Sequence, residues 1–116
     1  MANSETILSA ENAPNDSSTL TITGEKYKGD GYYSRADGFH TVQINVNNLI
    51  GTVTIQATLA TTPTDTDWTD VVTHTATDAN DNRTGSFLYN FTGNHVWVRS
   101  IVEFSDGTVN SITLNH

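Results

Sequence analysis

Residues 52–59 read Thr-Val-Thr-Ile-Gln-Ala-Thr-Leu, an unbroken alternation of polar and apolar side chains. Successive side chains of an extended strand point to opposite faces, so period two places Val53, Ile55, Ala57 and Leu59 on one face and three threonines with Gln56 on the other. A helix would scatter the same residues around its circumference. The pattern recurs. Leu20 and Ile22 alternate with Thr19, Thr21 and Thr23, and Val42, Ile44 and Val46 alternate with Thr41, Gln43 and Asn45. Phe87, Tyr89 and Phe91 share a face. Val96, Val98, Val102 and Phe104 oppose Trp97, Arg99, Ile101 and Glu103, and Ile112 and Leu114 face inward at the C-terminal end. Trp68 to Thr75 is a shorter strand by the same rule. No window has helical periodicity with capping residues.

Turn signals separate these runs: Gly29-Asp30-Gly31, Asp37-Gly38, Asn47-Asn48, Pro63, Asp78 to Gly85 and Gly93-Asn94. Asp106-Gly107 suits a two-residue hairpin turn, whose central positions need positive φ. Seven or eight short strands with such punctuation predict an all-β chain, a single antiparallel β-sandwich or jelly-roll-like domain over residues 17–116. Residues 1–16, small and polar apart from Ile7 and Leu8, are expected to form an arm or an edge strand. The 116 residues suit one domain.

Composition limits function. Twenty Thr, twelve Asn and nine Ser carry most of the polarity, while charged residues are only 16% of the chain. Thirteen acidic residues against five basic ones give a net charge of -8. Nucleic acids and anionic membranes are recognised by clustered Lys and Arg, so neither is an expected partner. The N-terminus has neither the basic start nor the apolar run of a secretory signal, and no stretch has the length of a membrane span. With no cysteine, disulfides, thiolate metal sites and cysteine nucleophiles are out of reach.

The candidate chemistry is sparse. Asp65, Asp67 and Asp70 form an acidic loop, but an EF-hand would place Gly at Asp70 and Glu at Ala76; the loop Asp78 to Arg83 fails alike at Arg83 and Tyr89. Solvated loops are the expectation for both. The four histidines (His40, His74, His95, His116) show no paired ligand spacing. No nucleophile elbow, P-loop or dinucleotide fingerprint occurs, so no catalytic residue, cofactor or metal is expected. Sequons at Asn15, Asn82 and Asn90 are about as many as this Asn, Ser and Thr content produces by chance.

The aromatics Tyr27, Tyr32, Tyr33, Phe39, Trp68 and Trp97 fit either packing at a subunit interface or a sugar-stacking platform, with the interface favoured. The segment Lys26 to Phe39, with its Gly-Asp-Gly-Tyr-Tyr run, suits a contact between subunits. The candidate contact residues are therefore Ile7, Leu8, Tyr27, Tyr32, Tyr33, Phe39 and Trp97.

Gly51 to Leu59, then Pro63 and Trp68, then Gly93 with Trp97-Val98-Arg99, Phe104-x-x-Gly107 and Ile112-x-x-Asn115 together resemble small virion structural proteins of tailed bacteriophages, of the T4-like cyanophage type. The likeness spans about residues 24–116. It implies a non-enzymatic β-domain made in the host cytoplasm and carried in many copies on the virion. On this reading the chain decorates a capsid, and its partners are other virion proteins, the major capsid protein first, with self-association as a homo-oligomer or lattice. A neck, tail or fibre component and a carbohydrate-binding attachment module are the alternatives.

Overall fold

A computed structural model describes residues 4–14, 18–29, 39–77, 83–93 and 95–115, with Ser4 and Phe39 placed by their backbone alone. All regular structure is β. In chain order the strands are β1 (Ser4–Leu8), β2 (Glu11–Asn12), β3 (Leu20–Thr23), β4 (Tyr27–Lys28), β5 (Phe39–Thr58), β6 (Thr69–Ala76), β7 (Gly85–Thr92) and β8 (Trp97–Asn115). They form one antiparallel sheet of eight strands, as the alternation predicts.

Two of these strands are far longer than the sequence pattern suggests. β5 has 20 residues and β8 has 19, and they pair antiparallel from Thr41↔Asn115 to Thr58↔Trp97. At about 3.3 Å per residue, a straight strand of that length would span about 66 Å. The longest dimension of the molecule is 44 Å. The ladder therefore folds over on itself, and the single sheet becomes a sandwich of two layers.

In the first layer, the C-terminal half of β8 lies between β1 and the N-terminal half of β5, with β7 outermost beyond β5. In the second, the N-terminal half of β8 lies between β3 and the C-terminal half of β5, with β6 outermost. β1 to β4 run in one interrupted pass along β8, from Ser4↔Asn115 to Lys28↔Trp97. Residues 4–8 thus form an edge strand.

The fold line explains one departure from the sequence reading. Asp106-Gly107 is no hairpin turn, and Asn47-Asn48 ends no strand: both lie inside long strands, facing each other. Register shifts between Asn45 and Val46, between Asn47 and Ile50 and between Ile50 and Gly51 insert extra residues there, and such bulges bend a ladder sharply without ending it. Each also resets the alternation. The buried face passes from Val42, Ile44 and Val46 to Leu49, Val53, Ile55 and Ala57 in β5, and from Phe104 to Val109 to Ile112 in β8. Asn48 has φ 54° and Gly107 φ 88°.

Residues 83–84 clamp this corner. Leu49 N–H donates to the Arg83 carbonyl at 2.9 Å, and Asn48 N–H donates to Thr84 Oγ1 at 3.0 Å. In return Arg83 donates through Nε to the Leu49 carbonyl (3.1 Å) and through its terminal nitrogen to that of Asn48 (3.3 Å). Ala13 N–H reaches the Gly107 carbonyl on the other strand. Backbone groups released by the bulges are thereby satisfied.

The core between the layers is aliphatic: Ile7, Ile44, Leu49, Ile55, Ile112 and Leu114 are buried, with Phe104 its largest fully buried side chain. Where β6 and β7 face each other, His74 Nδ1 lies 2.6 Å from Tyr89 Oη and its ring packs on Phe87. Burial pushes the Tyr89 hydroxyl pKa up. Phe87, Tyr89 and Phe91 share the inner face of β7, as their spacing predicts. Leu20 and Leu59 are exposed despite their phase, Leu20 on the short β3 and Leu59 one residue beyond β5.

Candidate contact surfaces

The two outer faces differ in charge. Asp, Glu, Lys and Arg are absent from Gly38 to Thr64, from Thr84 to Val98 and after Asp106. Pairing brings these runs together: β7, the N-terminal half of β5 and the C-terminal half of β8 lie side by side in the first layer, where the edge strand β1 adds only Glu5.

Across that outer face, register aligns Leu88, Gln43, Thr113 and Thr6 in one row and Asn90, Thr41 and Asn115 in the next. A third row holds Ser86, Asn45 and Ser111. Hydrogen bonds tie the rows across strands. Thr41 Oγ1 donates to Asn90 Oδ1 at 2.7 Å, and Asn45 Nδ2 donates to Ser111 Oγ at 2.9 Å. Ser86 Oγ donates to Asn45 Oδ1. Polar groups already paired with one another lose less when water is removed than bare ones. Leu88, 67% exposed, stands among them.

The outer face of the second layer is charged and covered by the segment between β5 and β6. Asp70, Gln56 and Arg99 form a row, in which Arg99 Nε donates to Gln56 Oε1 and Gln56 Nε2 donates to Asp70 Oδ1, each at 2.9 Å. The Arg99 guanidinium also stacks on Trp68, 4.4 Å from the ring centre, and lies 3.8 Å from Asp65. Trp97 Nε1 donates to the Thr61 carbonyl at 3.0 Å, with Lys26 Nζ 5.0 Å from its ring centre. Asp67 closes a turn by accepting from Thr64 N–H (2.8 Å) and Thr64 Oγ1. Each carboxylate of the acidic loop goes to a different partner: Asp65 to Arg99, Asp67 to Thr64, Asp70 to Gln56. Among the described residues, no group of three His, Asp or Glu is placed to hold a metal ion.

Ile7 and Leu8 are 1% and 8% exposed and belong to the chain's own core. What β1 presents outward is its backbone edge and alternate side chains. Tyr27 packs partly against the core. With Glu5, Lys26, Lys28 and Trp97 it also lines a slot of about 310 Å³. Trp97 and Trp68 are both half-buried. Tyr32, Tyr33, the side chain of Phe39 and the loop Asp78 to Asn82 lie outside the described residues.

Of the three described histidines, two come together and one lies apart. His40 stacks on Phe91 with ring centres 4.7 Å apart; His95 leans on both and leaves Nε2 buried without a hydrogen-bond partner. His74 lies with Phe87 and Tyr89. Thr41, Gln43 and Asn45 of the charge-free face are outward-phase positions of the alternation, Asn90 is a sequon and Asn115 belongs to the resemblance motif; Leu88, Ser86, Ser111 and Thr113 carry no motif. The signal was the spacing of charges along the chain, which acquires meaning only through strand register.

No family model matches the sequence, and no curated protein matches it. Among solved structures the chain is similar to one in the structure of infectious bursal disease virus, Gx strain, with 15% identity and a TM-score of 0.41. The match covers all of this chain and 32% of the other, so this chain spans about a third of that chain's length. A likeness this weak carries nothing about function.

Proposed function

We propose that this chain is a non-enzymatic structural component of a tailed-phage virion that decorates the capsid, binding across joints between major capsid subunits. The observation that carries the reading is the segregation of charge: a chain of net charge -8 presents, among the described residues, rows of uncharged side chains across one outer face of its sandwich, several of them hydrogen-bonded to one another. Such a face is suited to burial against protein and has nothing with which to grip a phosphate or a metal. The sequence resemblance adds support, because its residues form the folded β5–β8 ladder and the Trp68–Arg99 stack. Many weak, repeated contacts then hold the shell through avidity.

The carbohydrate-binding alternative keeps one observation in its favour: Trp68 and Trp97 lie on the outer face of the second layer among polar side chains, outside the core. Their contacts with Arg99 and Lys26 already occupy part of each ring, which places this reading second.

The test is the copy number of the chain in purified particles by quantitative mass spectrometry. Decoration requires on the order of hundreds of copies, whereas a closed neck or tail ring requires on the order of ten. A ring-like number would overturn decoration, and absence from particles would overturn the virion reading altogether.

A further inference from the structure

We infer that β7 is a docking edge for a second copy of this chain, the two β7 strands joining antiparallel about a two-fold axis through Leu88. This inference goes beyond the virion reading and does not depend on it.

A sandwich folded from one sheet has four outer edges, and exposed edges recruit foreign strands unless charge, proline, bulges or shortness blunts them. Three of the four are blunted. β1 carries Glu5 and a register shift between Thr6 and Leu8. β3 and β4 are four and two residues long, with Gly24-Glu25-Lys26 between them. β6 carries Asp70 and pairs across a register shift between Ile55 and Gln56.

β7 has none of these devices. It pairs with β5 without a shift from Phe39↔Thr92 to Val46↔Gly85. It contains no charged residue and no proline, and its glycine stands at the first position. Among the described residues no strand pairs with its other side.

The strand is also complementary to itself. Antiparallel pairing about Leu88 sets Leu88 against Leu88 of the second copy and Ser86 against Asn90. On the inner face it sets Phe87 against Tyr89, an aromatic cross-strand pair, and each mixed pair occurs twice. Charge favours the same choice. Two copies with a net charge of -8 each repel over most approaches, and neither β7 nor the half of β5 it pairs with contains a charged residue. Leu88, exposed on a monomer, is then covered.

The experiment is sedimentation velocity of the full chain from micromolar to millimolar concentration. The expected result is a mass rising from 12.6 kDa towards twice that value. Leu88→Lys should weaken association at least tenfold, and Leu59→Lys, at the other strongly exposed leucine, should leave it unchanged. Hydrogen exchange on the unmodified chain should show β7 amides slowing as concentration rises while β6 amides do not, a readout that stands even if Leu88→Lys fails to fold. The proposal is overturned by a monomer at every concentration, as expected if the edge serves a strand of another protein. Association that Leu88→Lys leaves intact, or protection appearing at β6 or β1 instead, would also overturn it.

Discussion

Replacing Gly107 with alanine tests whether the molecule is a folded ladder. The residue has φ 88°, a region that costs a side-chain-bearing residue about 1–3 kcal/mol. A Cβ built there would lie 2.4 Å from the Asn48 carbonyl oxygen and 2.6 Å from that of Asn47, so the bulge on β5 has to move as well. Forcing such a shift in a packed site costs about 1–3 kcal/mol more. We expect a total loss of about 3 kcal/mol, against a total stability of about 5–15 kcal/mol for a domain. The assay is urea unfolding, reading the midpoint at constant slope. Gly85→Ala is the internal control: Gly85 has φ 131°, but the nearest atoms to its Cβ are Phe87 ring carbons at 3.9 Å, so only the backbone term of about 1 kcal/mol applies. If Gly107→Ala loses no more stability than Gly85→Ala, residues 106–107 are not pressed against the β5 bulge, and the shared fold line is wrong.

Two further outcomes follow from the core. Ile7→Ala should cost about 2–4 kcal/mol in the same assay, because Ile7 is 1% exposed; a loss below about 0.5 kcal/mol, as at a free surface site, would mean that β1 is a detachable arm. Tyr89 has its pKa raised by burial, so the folded state holds the proton more tightly than the unfolded state. The stability this contributes is complete below the unfolded value of 10.0 and disappears as pH rises through the folded value. Urea midpoints should therefore fall more between pH 9 and pH 11 in the unmodified chain than in Tyr89→Phe, and equal falls would refute the burial argument.

Strand faces were legible in the sequence because inward and outward positions differ in residue type. Val42, Ile44, Val53, Ile55, Val98, Val102, Ile112 and Leu114 are all inward in phase and all buried. Strand ends were not legible at Asn47-Asn48 and Asp106-Gly107. Positive φ serves a hairpin turn and a bulge equally well, and what separates them is whether pairing resumes with the same partner strand. That depends on residues some 60 positions apart in the chain, such as Asn47 and Thr108. β1 to β4 were hard to read for another reason: an edge strand is held by its backbone ladder and needs few apolar residues, and Ile7 and Leu8 were the visible trace of a track running to Lys28. Apolar side chains in a polar segment are a signal shared by contact residues and by core anchors. The charge-free face was written in the sequence as three uncharged runs, but they converge only through the register of β7 on β5 and β5 on β8.

Charge and fold line act together in what this surface can recognise. Had the long β5–β8 ladder stayed flat, its uncharged and charged halves would have faced the same way, and any partner covering the uncharged half would have met Glu103, Arg99 and Asp70 beside it. Folding at Gly107 turns those charges to the opposite side of a molecule only 21 Å thick. Discrimination among partners depends as much on penalising wrong approaches as on rewarding the right one. Here the charged second layer penalises approaches that would bury Glu103, Arg99 or Asp70 unpaired, while the first layer, with Thr41, Asn45, Ser86, Asn90 and Ser111 bonded to one another, costs less to dehydrate. The bend that completes the core therefore also separates rows of uncharged side chains from the charged row of Asp70, Gln56 and Arg99, so on the proposed reading a bulge variant that still folds should lose selectivity of contact before it loses contact itself.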